Sequence, residues 1–192
     1  MKLNDMQYVP TSTLASSQTV YRVQRRRARA GSVTIGHLKL AAAGDRSSRF
    51  AVASASVGYF AESPETAVYE SLVRREAVSL SMTTAADRVM LCLRATRAVQ
   101  LIDLRPRAPS WPVLQSLRFA STQDVAEDAL RAGFEGIVYR SAQQHGQDCF
   151  VVFGQGLTGF RLVWRKSLVQ ADGSIHQALA SAVRGGQITV VP

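Results

Sequence analysis

The stretch Val57–Ser71, VGYFAESPETAVYES, decides how this chain is read. It opens as a short apolar and aromatic run, meets Ser63-Pro64-Glu65, and then turns helical. Ser63 is a good helix N-cap, because its hydroxyl can accept an orphan backbone N–H. Pro64 follows at the first helical position, where its missing N–H costs nothing. Glu65 adds negative charge at the positive end of the helix dipole. Local physics therefore predicts a strand, a turn and a helix from Pro64 to about Val78, with Tyr59 leaving the strand and Glu70 on the helix. Such a unit can bring an aromatic ring and a carboxylate to one site from two rigid elements.

Working outward, 192 residues set a single domain as the expectation, with a core large enough to stand without staples. Hydrophobic content of 46% and charged content of 19% describe a globular chain rather than a disordered one. No apolar run approaches the roughly 18 residues that span a bilayer. The opening MKLNDMQYVPTSTLASSQ lacks the apolar core of a signal peptide, so a cytoplasmic location is expected. Cys92 and Cys149 lie inside apolar runs and read as lone buried thiols. The net charge of +9 is the unusual number. Between positions 22 and 49 stand Arg22, Arg25, Arg26, Arg27, Arg29, Lys39, Arg46 and Arg49 against Asp45 alone, eight cations less one acid, or +7. Such a patch attracts anions; for Arg25 to Arg29 taken alone, a solvated loop explains them as well.

Along the chain, residues 1–17 show no periodicity and are expected to form a flexible arm, with one domain over 18–192. Thr19–Gln24 reads as a strand, and 25–48 as a long loop with one short irregular element at most. Arg88–Ala95 and Val99–Leu104 read as strands, and Pro109, Trp111 and Pro112 mark a loop. A helix capped by Ser121 or Thr122 runs to Ala132, with Gly133 as its stop. Gly136–Arg140 is a strand that delivers Ser141 at its end. Cys149–Phe153, Gly159–Trp164 and Gln187–Val191 follow as strands, with a short helix over Ser174–Val183. The pattern predicts an α+β fold around a mostly antiparallel sheet with a few flanking helices.

The common enzyme signatures are missing. His37, His145 and His176 show no ligand spacing, so no metal is expected. The glycines form no phosphate loop, and no Ser or Cys sits in a nucleophile elbow. The remaining candidates each have an ordinary explanation. Glu70 could pair with Arg74 four residues on, a contact worth about 0.3–0.5 kcal/mol. Tyr59 could be a packed strand aromatic, Ser141 a turn residue, and Arg22 and Arg49 surface charges.

Taken as an ordered set, these residues resemble the RES domain family. The resemblance runs from about Val20 to Gly154 through Tyr21-Arg22-Val23, Arg49-Phe50, Gly58-Tyr59-Phe60-Ala61, Ser63-Pro64-Glu65-Thr66-Ala67 and Glu70. It continues through Leu101-Ile102-Asp103-Leu104, Thr122-Gln123, Gly133-Phe134-Glu135-Gly136-Ile137, Ser141-Ala142 and Phe150-Val151-Val152-Phe153. Two departures stand out. Ala51 follows Arg49-Phe50 where the family often has Asn or another polar residue, and the segment before Arg49 aligns poorly, so Arg46 competes with Arg49 for the same task.

The resemblance implies an ADP-ribosyltransferase-like fold acting on NAD as substrate, with inorganic phosphate as a candidate co-substrate. It implies the toxin of a bacterial toxin–antitoxin pair, cleaving the nicotinamide–ribose bond by phosphorolysis or hydrolysis, or else transferring ADP-ribose to a protein. The implied partner is an antitoxin with a helix-turn-helix domain, through which nucleic acid enters only indirectly; a homodimer is compatible with this and a membrane is not involved. In these roles Glu70 stabilises an oxocarbenium-like ribose, and Tyr59 offers its ring to the nicotinamide. Arg22 and Arg49 grip the pyrophosphate, and Ser141 orients the nicotinamide amide or a ribose hydroxyl, or places phosphate. Two other readings remain beside this one: a basic nucleic-acid-binding module built on Arg25 to Arg29, and an effector delivered between bacteria.

Overall fold

The computed structural model describes residues 9–116 and 118–192. In chain order the strands are β1 (Thr11–Leu14), β2 (Thr19–Arg25), β3 (Ser32–Ile35), β4 (Leu38–Ala41) and β5 (Val57–Ala61). After helix α1 (Pro64–Ser71) come β6 (Ser79–Ser81), α2 (Met82–Ala86), β7 (Arg88–Ala95) and β8 (Val99–Asp103). Helix α3 (Phe119–Arg131), β9 (Gly136–Arg140), β10 (Asp148–Phe153), β11 (Phe160–Ser167), α4 (Gln177–Gly185) and β12 (Thr189–Val191) complete the chain. Eight strands join in one curled sheet in the order β1-β8-β9-β10-β5-β2-β7-β11. All its pairings are antiparallel except β8 with β9, whose crossover is carried by α3. The architecture is the expected α+β one.

Sequence pattern explains the layering. β10 is buried along its whole length, as a continuous apolar run should be at the middle of a covered sheet. β11 alternates between exposed and half-buried residues, the pattern of an edge strand with one wet face. One core, containing Phe50, Ile102, Val125, Ile137 and Phe153, lies between the sheet and the helices. A second, containing Leu14, Leu38, Phe60, Leu91 and Phe150, lies on the other face.

Three expectations need correction. The arm expected over 1–17 falls partly outside the described residues; within them, Thr11–Leu14 is a strand paired with β8, and Leu14 is buried. The loop expected over 25–48 contains the β3–β4 hairpin, turned by Gly36-His37 with Gly36 at φ +55°. A two-residue turn with positive φ is a standard hairpin connection, and it carries Leu38 and Leu40 into the second core. Helix α1 stops at Ser71 rather than Val78. There the Ser71 hydroxyl donates to the carbonyls of Ala67 at 2.8 Å and Val68 at 3.3 Å, competing locally with the helical ladder. The start of α1 is as expected, with Ser63 Oγ accepting from Thr66 N at 3.1 Å. Helix α3 begins three to four residues earlier than predicted and ends within one residue of the predicted stop. Gly133 N donates to Leu130 O and Phe134 N to Ala129 O, with Gly133 at φ +86°, a Schellman ending.

One irregularity positions the site. β2 pairs with β7 along its full length, from Thr19 to Arg25. With its other neighbour, β5, it shares only the Tyr21–Ala61 pair. The sheet therefore opens between β2 and β5 beyond that pair. Arg22 spans the opening, donating to the carbonyls of Tyr59 at 2.9 Å and Lys39 at 3.1 Å.

Candidate active site

The opening between β2 and β5 leads to two adjoining hollows against α1, of about 130 and 180 Å3. Tyr59, Glu70 and Tyr139 line both. Arg22 lines the first, and Arg49 the second. Ser141, just past the end of β9, lines neither hollow; it is buried behind Glu70, in hydrogen-bond contact with it. Four of the five residues singled out from sequence thus line one cleft, and the fifth, Ser141, holds one of them.

Glu70 is held there by the strand end. Its Oε1 accepts from Ser141 Oγ at 2.6 Å and from Ala142 N at 3.1 Å. Among the described residues no hydrogen bond reaches Oε2, which is left for the cleft. The alternative pairing with Arg74 is not formed through the carboxylate: Arg74 Nε reaches only the Glu70 backbone carbonyl, at 3.4 Å.

Ser141 is saturated within the protein. Its hydroxyl donates to Glu70 and accepts from Gln143 N at 3.1 Å and Gln144 N at 2.9 Å. A serine hydroxyl has one donor and two lone pairs, so the Ser141 hydroxyl has no spare capacity for a direct contact with a ligand and reaches the cleft only through Glu70.

Tyr59 is fixed at its far end. Its hydroxyl donates to Ser48 Oγ at 2.9 Å and accepts from Phe50 N at 2.8 Å. Burial raises the phenol pKa, against the pull of those bonds and of the nearby arginines. The ring is thereby locked in orientation along the cleft wall.

The two arginines differ in what they have left to give. Arg22 spends two N–H groups on carbonyls, while its Nε is buried without a partner. Burial lowers its pKa to about 10, with Tyr59 acting in the opposite direction. Arg49 Nε is also buried and without a partner, and its guanidinium carbon lies 5.9 Å from the centre of the Tyr139 ring. Arg46 points away. Its Nε donates to Gln123 Oε1 at 3.0 Å, and its terminal nitrogen pairs with Glu127 at 3.3 Å. Geometry thus separates the two competing positions, with Arg49 in the cleft. The loop bearing Arg49 is pinned by α3: Thr122 Oγ1 donates to Arg49 O at 2.5 Å, and Gln123 Nε2 to the carbonyls of Arg46 and Ser48, each at 2.9 Å. Both α3 side chains are buried polar groups whose hydrogen bonds include these backbone atoms.

Tyr139 is a site residue that the sequence reading missed. Its ring packs 4.8 Å from Phe50, centre to centre, and forms the floor under Arg49. The period of two along β9 could have found it, since Ile137, Tyr139 and Ser141 share one side of the strand. Cys149 lies beside it, with its thiol pKa pushed well up by burial and then by Glu70, so it stays protonated. Among the described residues no group of three or more His, Cys, Asp or Glu side chains is placed to hold a metal ion. No helix there is long and apolar enough to cross a membrane.

The arrangement can hold a bound electrophile between a locked aromatic ring and a free carboxylate oxygen, with two guanidiniums placed for an anion. The RES domain family profile matches residues 19–179, and the chain belongs to that family. The crystal structure of the M. tuberculosis MbcT–MbcA toxin–antitoxin complex contains a chain with the same fold. It superposes with a TM-score of 0.60, covering 81% of this chain and 86% of that one at 18% sequence identity. No curated protein sequence matches this chain significantly.

Proposed function

We propose that this RES domain protein is the toxin of a toxin–antitoxin pair and that it consumes NAD by splitting the nicotinamide–ribose bond. The observation that carries the reading is Glu70, anchored through one carboxylate oxygen and offering the other to a cleft that Tyr59, Arg22 and Arg49 also line. The toxin role is supported by family membership and by the fold shared with a chain of a toxin–antitoxin complex. The partner is accordingly an antitoxin protein, of the helix-turn-helix kind that the family resemblance implies.

The chemistry suits these groups. When the bond to nicotinamide breaks, the bonding pair goes to the pyridinium nitrogen. The leaving group becomes neutral and needs no proton, while positive charge develops on the ribose. Glu70 Oε2 stabilises that charge and accepts a hydrogen bond from a ribose hydroxyl. Tyr59 presents an aromatic face to the cationic nicotinamide ring. Arg49, with the remaining N–H groups of Arg22, holds the pyrophosphate in forked hydrogen bonds. Ser141 keeps Glu70 in place. The new C–O bond forms to phosphate or to water.

The test is incubation of the purified protein with NAD, with and without phosphate, followed by mass analysis. Release of nicotinamide with ADP-ribose marks hydrolysis, and a phosphorylated ADP-ribose marks phosphorolysis. A mass increase on a protein marks transfer instead. Intact NAD under all conditions removes the proposal.

A further inference from the structure

Beside the Glu70 cleft lies a larger hollow of about 340 Å3 that shares lining residues with it. Arg22 and Val23 line both this hollow and the one at Tyr59, and Ser47 joins it to the one at Arg49. Its wall is cationic: Arg22, Arg25, Arg27, Arg29, Lys39 and Arg88 face Asp45 alone among acids. Neutralisation is incomplete. Arg25 and Arg88 share one carboxylate, Asp87, at 3.2 and 2.8 Å. Among the described residues no carboxylate pairs with Arg27, Arg29 or Lys39, whose ammonium instead donates to the Arg26 carbonyl. The Arg22 Nε is buried here without a partner. The crowding is felt at Arg88, whose pKa is lowered by burial first and by Arg25 and Arg29 after it, against Asp87.

A concave site lined by one sign of charge concentrates the opposite ion. The volume is that of a small-ligand pocket, suited to a nucleoside phosphate rather than to a length of polynucleotide. Its position gives the register. A dinucleotide with its nicotinamide ribose at Glu70 and its pyrophosphate at Arg22 extends its adenosine end into this hollow. The adenosine of NAD is neutral and leaves those cations unmatched. A phosphomonoester on that adenosine matches them.

We propose that the hollow lined by Arg25, Arg27 and Arg29 binds the 2′-phosphate of a phosphorylated dinucleotide, so that the cleft accepts NADP as a substrate at least as readily as NAD. The reaction part of this inference rests on the NAD reading above; the anion site does not.

Two measurements at fixed ionic strength test it. The first is calorimetric binding of adenosine 2′,5′-bisphosphate against 5′-AMP. The second is the ratio of kcat/KM for NADP over NAD. Each is made on the wild type and on Arg27→Ser/Arg29→Ser, whose side chains are exposed and make no ion pair that the fold depends on. The wild type binds the bisphosphate about tenfold or more tighter than AMP, as charge-assisted hydrogen bonds to a dianion should give. In the double variant most of that preference disappears, and the NADP/NAD ratio falls with it. Equal binding of the two nucleotides by the wild type overturns the inference, as does an undiminished preference in the variant. Consumption of NAD with NADP left intact overturns it and leaves the NAD reading standing. A preference for the bisphosphate without consumption of either dinucleotide supports the anion site and removes the NAD reading.

Discussion

Replacing Ser141 by Ala separates two ways in which this side chain could serve the reaction. In the structure its hydroxyl makes three hydrogen bonds, one to the Glu70 carboxylate and two from the backbone N–H groups of Gln143 and Gln144. The side chain is almost fully buried, at 1% exposure, so water cannot readily replace the lost oxygen. A hydrogen bond to a charged group contributes about 1.5–3 kcal/mol, and a buried N–H left unsatisfied costs about 1–3 kcal/mol. Glu70 keeps the Ala142 N–H, and the turn can relax, which places the net loss near 3 kcal/mol. In a domain of this size that lowers Tm by roughly 6–12 °C. The effect on the reaction should fall on kcat, because the carboxylate is held by one bond instead of two, while KM for NAD stays within about twofold. Steady-state kinetics and thermal unfolding on the same preparation give both numbers. If Ser141→Ala raises KM for NAD tenfold with kcat unchanged and stability intact, the hydroxyl binds substrate directly and the positioning argument is wrong.

Three further predictions follow from particular contacts. Arg49→Lys should raise KM for NAD about tenfold, since Lys cannot reproduce a planar fork, whereas Arg46→Ala, which loses only Gln123 and Glu127, should leave KM unchanged; the opposite pattern would exchange their roles. His176 caps α4 by accepting from Ala178 N through Nδ1 at 3.2 Å, stacked near Trp164. Burial and then Lys166 lower its pKa in the fold, with Glu65 opposing. The unfolded chain therefore takes up the proton near pH 6.5 while the folded protein resists, and stability falls as pH drops below that value. His176→Asn keeps an acceptor and should flatten this dependence in unfolding followed by tryptophan fluorescence; an unchanged slope would assign it elsewhere. Arg105 binds Asp103 at both carboxylate oxygens, at 2.9 and 2.7 Å, and Asp148 at 2.7 Å. Arg105→Met leaves Asp103 buried without its partner and should cost about 3 kcal/mol in urea unfolding, with Asp103→Asn restoring much of the loss in the double variant; additive losses would refute the coupling.

Much of this was legible in the sequence because it rests on local chemistry. The Ser63-Pro64-Glu65 cap and the Gly133 stop act within a few residues, so α1 begins and α3 ends where the code for turns and caps puts them. Strand placement followed from apolar runs such as Cys149–Phe153. Other features depended on distant partners. The β3–β4 hairpin was hidden because Arg25–Arg29 and the glycines read as loop, while its stability comes from Leu38 and Leu40 joining the second core, with Phe60 and Leu91, which no window reveals. Strand β1 is polar except Leu14, and exists because β8 offers it an edge. The saturation of Ser141 and the separation of Arg49 from Arg46 are likewise tertiary facts: the first needs the Gln143–Gln144 turn folded back on the strand end, the second needs Gln123 and Glu127 on α3.

Nicotinamide release by Glu70→Gln is the most direct measurement of the central claim. Gln can keep both bonds that Oε1 accepts from Ser141 and Ala142, so the fold should survive and only the charge is lost. A unit charge about 4 Å from the developing cation contributes about 4 kcal/mol at an effective dielectric of about 20, close to a thousandfold in rate. The account predicts a folded protein with wild-type Tm within a few degrees and NAD consumption reduced by two to three orders of magnitude, on the order of the effect of removing one electrostatic stabiliser from an active site. A folded Glu70→Gln protein that consumes NAD at the wild-type rate would contradict it.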